Sequence, residues 1–230
     1  MERRNWTRDE LIVASNLYCK IPFSKINKNH LLIKDLAEAI GRTPSAVAWK
    51  LANFASLDPT LQERDIKGAS NFGKLDKQIF NEFYNDWNNL GYRSEVELAK
   101  LLNKNNDIEE EIDFELKEGK VKESTVKVRV NQSFFRSTVL ASYENKCCVT
   151  GISIPDFLVA SHIIPWSQDE KNRLNPENGL CLNSIHDKAF DKGFITVDFD
   201  YKIKVSKYFF VYKKDFSIAK VVLEFDSKEI

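Results

Sequence analysis

The chain has 230 residues, 43% hydrophobic and 30% charged, with 34 basic and 34 acidic side chains. These proportions exclude a chain that is disordered throughout, no apolar run reaches the roughly 18–20 residues of a membrane span, and the even charge balance selects no partner by itself. Four cysteines, with no apolar signal-peptide core at the start, predict a reducing, cytoplasmic setting and not a disulfide-stapled fold.

The first ninety residues read as helices. Thr7 and Glu10 have capping-box spacing, and Leu11, Ala14, Ser15, Tyr18 and Ile21 follow at helical intervals. Leu32, Leu36, Ala39 and Ile40 mark a second helix, closed by Gly41 as C-cap. Thr43 and Pro44 restart a third, as N-cap and first-turn proline. Val47, Leu51 and Phe54 are expected to face the core, with Ser45, Trp49, Lys50 and Asn53 on another face. A long helix is expected from Leu75 to Leu90, with Ile79, Phe83 and Trp87 in register.

A second capping box, Ser94 with Glu97, predicts a short helix through about Leu102. Residues 91–120 hold nine acidic and five basic side chains, and the polar stretch from Asn103 to Glu111 lacks periodicity. It is the best linker in the chain. Val126, Val128 and Val130 alternate with polar residues as in a strand, and Phe134–Tyr143 reads as a helix carrying Arg136. The tail from Ile195 to Phe225 is rich in β-branched and aromatic residues, with strand-like alternation over Lys202–Val205 and an internal strand expected at Tyr208–Tyr212.

The segment from Leu32 to Phe54 is helix, tight turn, helix. In a helix-turn-helix module the second helix enters the DNA major groove. Ser45, Trp49, Lys50 and Asn53 would then reach base edges, and Arg42 would hold a phosphate. An ordinary helical hairpin with a solvated polar face has the same spacing.

The densest chemistry is C-terminal. Ala160-Ser-His162-Ile-Ile-Pro-Trp166 precedes Asn175-Pro-Glu-Asn178-Gly-Leu-Cys-Leu182, and then His186-Asp-Lys-Ala-Phe-Asp191-Lys-Gly193. Two of the three histidines fall in this block. Neutral imidazole takes a proton near neutral pH and binds divalent metals. Cys147, Cys148 and Cys181 are too few and badly spaced for a four-thiolate zinc site, so they read as small buried hydrophobes, and His30 receives no role.

This order of motifs resembles the HNH endonucleases, built on a ββα-metal motif, and the likeness covers about residues 126–200, with Gln132–Arg136 and Cys147–Gly151 similar to the lead-in of one branch. The resemblance implies His162 as general base on the first strand, Asn178 as the Asn that orders the loop, and His186 as metal ligand near the start of the helix. It also marks departures. Ser161 stands where many members carry a second ligand, and Phe190 where some carry a further histidine, so Asp187 or Asp191 is expected to supply an oxygen. Arg136, Lys188 and Lys192 are the expected phosphate contacts. The segment Leu36–Phe54 resembles the helical domain often found ahead of this branch in bacterial restriction-type nucleases.

The resulting expectation is an α+β protein: a helical, helix-turn-helix-like DNA-recognition domain over residues 1–90, an acidic linker with a short helix over 91–125, and an HNH nuclease domain over 126–230. The implied function is metal-dependent hydrolysis of double-stranded DNA by a bacterial restriction endonuclease serving antiviral defence. One divalent ion is expected per centre: Mg²⁺ first, with Mn²⁺, Ni²⁺ or Zn²⁺ as alternatives. A homodimer is expected on DNA, with a cognate DNA methyltransferase acting separately. The rival readings are a nuclease effector of another anti-phage system with low sequence specificity, and a DNA-binding regulator whose HNH domain has lost activity.

Overall fold

The structure, a computed structural model, describes residues 4–102 and 120–230. It divides into two compact units: Met1–Glu144 with Ile164–Asn178, and Asn145–Ile163 with Gly179–Ile230. The linker expected over 103–111 lies outside the described residues.

The described helices of the first unit are α1 (Arg8–Lys20), α2 (Leu31–Ala39), α3 (Pro44–Ala55), α4 (Pro59–Glu63), α5 (Lys74–Asn85), α6 (Trp87–Leu101) and α7 (Lys120–Ser142). The capping box of α1 forms as the sequence predicts: Glu10 N donates to Thr7 Oγ1 at 3.3 Å, and Thr7 N donates to Glu10 Oε2 at 2.9 Å. The run from Glu10 to Leu17 is buried without interruption, because α1 is the axis against which α2, α3, α5, α6 and α7 all pack. Gly41 takes a φ of +63°, which lets the Arg42 amide turn back to the Ala37 carbonyl at 2.8 Å and stop α2. Thr43 Oγ1 then accepts from Ala46 N at 3.2 Å to start α3.

Three expectations change in this unit. The long helix over Leu75–Leu90 is broken at Asp86, whose backbone ends α5 and whose carboxylate accepts from Asn89 N at 3.2 Å to begin α6. Ser94 is not a cap. It sits within α6, donates to the Gly91 carbonyl at 2.9 Å and accepts from the buried Asn16 side chain at 2.8 Å. The strand expected over Val126–Val130 is part of α7. Asn131, Phe134, Phe135, Thr138 and Val139 form its buried stripe at helical spacing, and burying that stripe outweighs the two-residue alternation of the valines. α7 approaches α6 at Gly91, where a Cβ would sit 3.0 Å from the Phe134 ring.

In the second unit β1 (Leu158–His162) pairs antiparallel with β2 (Gly179–Asn183), with Ser161 opposite Leu180 and His162 opposite Gly179. The chain passes directly into α8 (Ser184–Asp191), which packs on both strands. A second hairpin, β3 (Ile195–Val197) with β4 (Ile203–Val205), and α9 (Phe216–Val221) complete the unit. Ala189, Ile195, Ile203 and Val222 form its apolar cluster, with Phe190, Val221 and Phe225 against it. The alternation at Lys202–Val205 thus appears as β4. Tyr208–Tyr212 does not form a strand: Lys207–Tyr212 is a 3-10 turn in which Phe209 meets Phe194 at 4.8 Å while Tyr208 and Val211 stay exposed. All four cysteines are free thiols, with Cys147 and Cys181 buried.

Candidate active site

Residues 158–191 form a β-hairpin followed by a helix, and the chemistry-bearing side chains lie on these three elements. His162 is the last residue of β1 and is half-buried. Ser161 precedes it on the same strand. Ser161 is only 3% exposed, and its Oγ lies within reach of the Asp187 carboxylate yet completes no hydrogen bond of good geometry. Burial, with the charge of Asp191 added, pushes the Asp187 carboxyl above the usual carboxylate range, and the nearby Ser161 hydroxyl opposes this only in part.

α8 sorts the expected metal ligands onto two faces. Asp187 and Asp191 are four residues apart and share one face, with Asp187 half-buried and Asp191 exposed. His186 turns with Ala189 and Phe190 toward the apolar cluster, where its ring meets Phe225 edge-on at 5.4 Å. The side chain of Asn183 caps the helix: its Oδ1 accepts from the Ile185 and His186 amides at 3.1 Å each and lies 3.0 Å from His186 Nδ1. An oxygen already serving as acceptor assigns the proton to Nδ1. Nε2 is buried without a partner, and burial holds the imidazole below its ordinary pKa despite the Val221 carbonyl, so the ring is neutral near pH 7. This histidine is only 1% exposed and packs beneath the helix.

Among the described residues no group of three or more His, Cys, Asp or Glu side chains could hold a metal ion. The oxygen donors are the Asp187 and Asp191 carboxylates and the orphaned Ser161 hydroxyl, and His186 Nε2 is a buried nitrogen without a hydrogen-bond partner. An all-oxygen set of one or two carboxylates fits Mg²⁺ or Mn²⁺, which keep waters and take substrate oxygens.

Asn178 belongs to the first unit and is 7% exposed. Its Oδ1 accepts from Ile164 N at 2.7 Å, and its Nδ2 donates to the carbonyls of Ile164 at 3.2 Å and Asn172 at 3.3 Å. The amide thus clamps both backbone groups of Ile164, which follows His162 by two positions in the chain.

The residues expected to meet DNA separate sharply in the structure. Ser45 and Trp49 are exposed on α3, Trp49 at 60%. Lys50 and Asn53 are turned inward, which corrects the expectation that all four share a solvent face. Lys50 Nζ donates to both carboxylate oxygens of Asp76 at 2.8 and 2.7 Å, and Asn53 Nδ2 donates to the Asn71 carbonyl at 3.2 Å. Arg42 is likewise committed: it pairs with Glu10, donates to the Arg4 and Asn5 carbonyls, and stacks 4.0 Å from the Trp6 ring centroid. Arg136 lies exposed on α7, and Lys188 and Lys192 are exposed in and just after α8.

Two organising residues escaped the sequence reading. Asp76 pairs with Lys50 and also accepts from Gly73 N at 2.7 Å to cap α5. Its place three residues after Gly73 was the readable signal. Glu10, visible as a capping residue, also gathers Arg4 and Arg42, and nothing in its local sequence announces those partners.

Residues 147–198 match the family model described as HNH endonuclease. That span contains the β1–β2 hairpin and α8. No curated protein matches the chain. Among the described residues no helix is long and apolar enough to cross a membrane.

Proposed function

We propose that the chain is a metal-dependent DNA endonuclease of the restriction type, in which the HNH match over residues 147–198 marks the hydrolytic centre. The observation that carries this reading is the coincidence of that match with a β-hairpin and helix bearing His162, Ser161, Asp187 and Asp191. His162 accepts a proton from the water that attacks the phosphodiester. Asp187, Asp191 and the Ser161 hydroxyl, with His186 as the nitrogen donor, would hold the divalent cation, and Asn178 steadies the backbone just past His162. When bound, the cation polarises the phosphoryl group and stabilises the departing oxygen. Lys188 and Lys192 offer charge to the phosphate backbone, as does Arg136 in the first unit. The helical first unit, with Ser45 and Trp49 exposed on α3, is the DNA-recognition part.

One centre cuts one strand per engagement, so a duplex break by this chain calls for a homodimer whose two centres have opposite polarity. The test is incubation of supercoiled plasmid with the full chain and Mg²⁺ or Mn²⁺, beside His162→Ala. Cleavage is expected to fall by roughly 10²–10⁴-fold in the variant. Equal cutting by both proteins would overturn the assignment of the base. Discrete fragments from a mixed DNA panel support the restriction reading, whereas a smear removes it and favours an effector of low specificity.

A further inference from the structure

In the first unit, Trp6, Ser45, Ala46, Trp49, Lys50 and Asn53 line a groove of about 450 Å³. Two of its walls are indoles, Trp49 being largely exposed and Trp6 held in place by Arg42 and Lys50 at 4.0 and 5.2 Å from its ring centroid. Aromatic faces open to solvent are stacking platforms for nucleobases. Trp6 and Lys50 also line an adjoining cleft of about 590 Å³, whose other cations are Arg4, Arg42 and Lys74. Of these, Arg4 and Arg42 pair with Glu10 and Lys50 with Asp76. Lys74, exposed in the first turn of α5, adds positive charge at the mouth.

The groove also contains an unmet polar atom. Asn53 is 3% exposed, and its Oδ1 has no hydrogen-bond partner. The amide cannot be turned over to relieve this, since Nδ2 donates to the Asn71 carbonyl and a flip would set two acceptors against each other. Asn53 thus lines the groove with a buried acceptor in want of a donor. Side chains on a helix lean toward its N-terminus, so the Asn53 amide lies over the turn carrying Trp49.

We propose that this groove receives a single nucleobase of a DNA strand, turned out of its stack onto Trp49 and Trp6, with Asn53 Oδ1 accepting from the exocyclic amino group and the flanking phosphate lying near Lys74. The polymer is named from the nuclease reading. The pocket itself rests on the two indoles and the orphaned amide oxygen. An acceptor at this point favours amino-bearing bases and repels the carbonyl edge of thymine.

The full chain, kept in chelator so that no cutting occurs, is titrated at fixed salt with short oligodeoxycytidine or oligodeoxythymidine of equal length, read by tryptophan fluorescence and by anisotropy of a labelled strand. Cytosine and thymine are both pyrimidines, so their difference isolates the amino group. Oligodeoxycytidine is expected to bind roughly tenfold or more tightly. Trp49→Ala, an exposed position that the fold does not need, is expected to weaken oligodeoxycytidine binding by roughly tenfold or more. Asn53→Leu is expected to bring the two oligonucleotides to similar affinity. Equal binding of both by the unaltered chain, binding of neither, or unchanged affinity in Trp49→Ala overturns the pocket. Cleavage of plasmid by the same preparation is scored separately. Cutting without base preference removes only the pocket, and preference without cutting removes only the nuclease reading.

Discussion

Asn178 holds Ile164 by both of its backbone groups, accepting from the amide at 2.7 Å and donating to the carbonyl at 3.2 Å. A side-chain amide is the one neutral group with an acceptor and a donor so placed. Asn178→Ala is expected to cost about 1–3 kcal/mol of stability and, by loosening the chain past His162, roughly 10²-fold in cleavage rate. Asn178→Asp keeps the acceptor but sets an anionic oxygen against the Ile164 and Asn172 carbonyls, so it is expected to be less stable than the alanine variant. Thermal melts of the two variants with a plasmid assay check this, and a reversed order would refute the clamp.

The face-sorting of α8 gives opposite expectations for neighbouring residues. Asp187→Asn and Asp191→Asn are expected to leave the melting temperature nearly unchanged while raising the Mn²⁺ concentration needed for cleavage. His186→Ala is expected to lower stability by about 2–4 kcal/mol, since it empties a packed site and removes a partner of Asn183. Calorimetric titration with Mn²⁺ separates the cases. A His186→Ala protein that melts normally but no longer binds Mn²⁺ would identify the histidine as a principal ligand.

Lys50 and Asp76 are a buried bidentate pair, with side chains 10% and 4% exposed. Lys50→Met is expected to cost about 3–5 kcal/mol by stranding the carboxylate, and pairing it with Asp76→Asn is expected to recover much of that loss. Chemical denaturation of the single and double variants measures the coupling. Additive losses would mean the pair is not the unit the geometry describes.

Acid is expected to loosen the first unit through Glu10. Burial alone would raise its carboxyl, but hydrogen bonds from Arg42, Thr7 and Arg4 outweigh it and hold the carboxyl below its ordinary value of 4.5. A carboxyl lowered by folding contributes stability that is complete above its unfolded value and is lost as pH falls through the folded one. The melting temperature of the unaltered chain should therefore drop more steeply below pH 4.5 than that of Glu10→Gln, which starts lower at neutral pH. Parallel profiles for the two would exclude Glu10 as the linked group.

The helix boundaries of the first unit were legible where one residue meets its own neighbours. Thr7 with Glu10, Thr43 before Pro44, and Gly41 with its positive φ act within a single turn, so the sequence alone determined them. The order Ser161-His162, Asn178, Asp187, Asp191 was legible for a similar reason: a hairpin and its following helix form from contiguous chain, and spacing within them carries over to space. Tertiary structure decided what spacing left open. The three alternating valines suit a strand, and only the buried stripe from Asn131 to Val139 makes that segment a helix. Lys50 and Asn53 share a helix with Trp49, yet their inward turn depends on Asp76 and Asn71, which belong to distant chain. The same holds for His186, whose partner Phe225 arrives from near the C-terminus. Local hydrogen bonding and periodicity are properties of a few consecutive residues; burial and charge pairing are set by whatever the fold brings alongside.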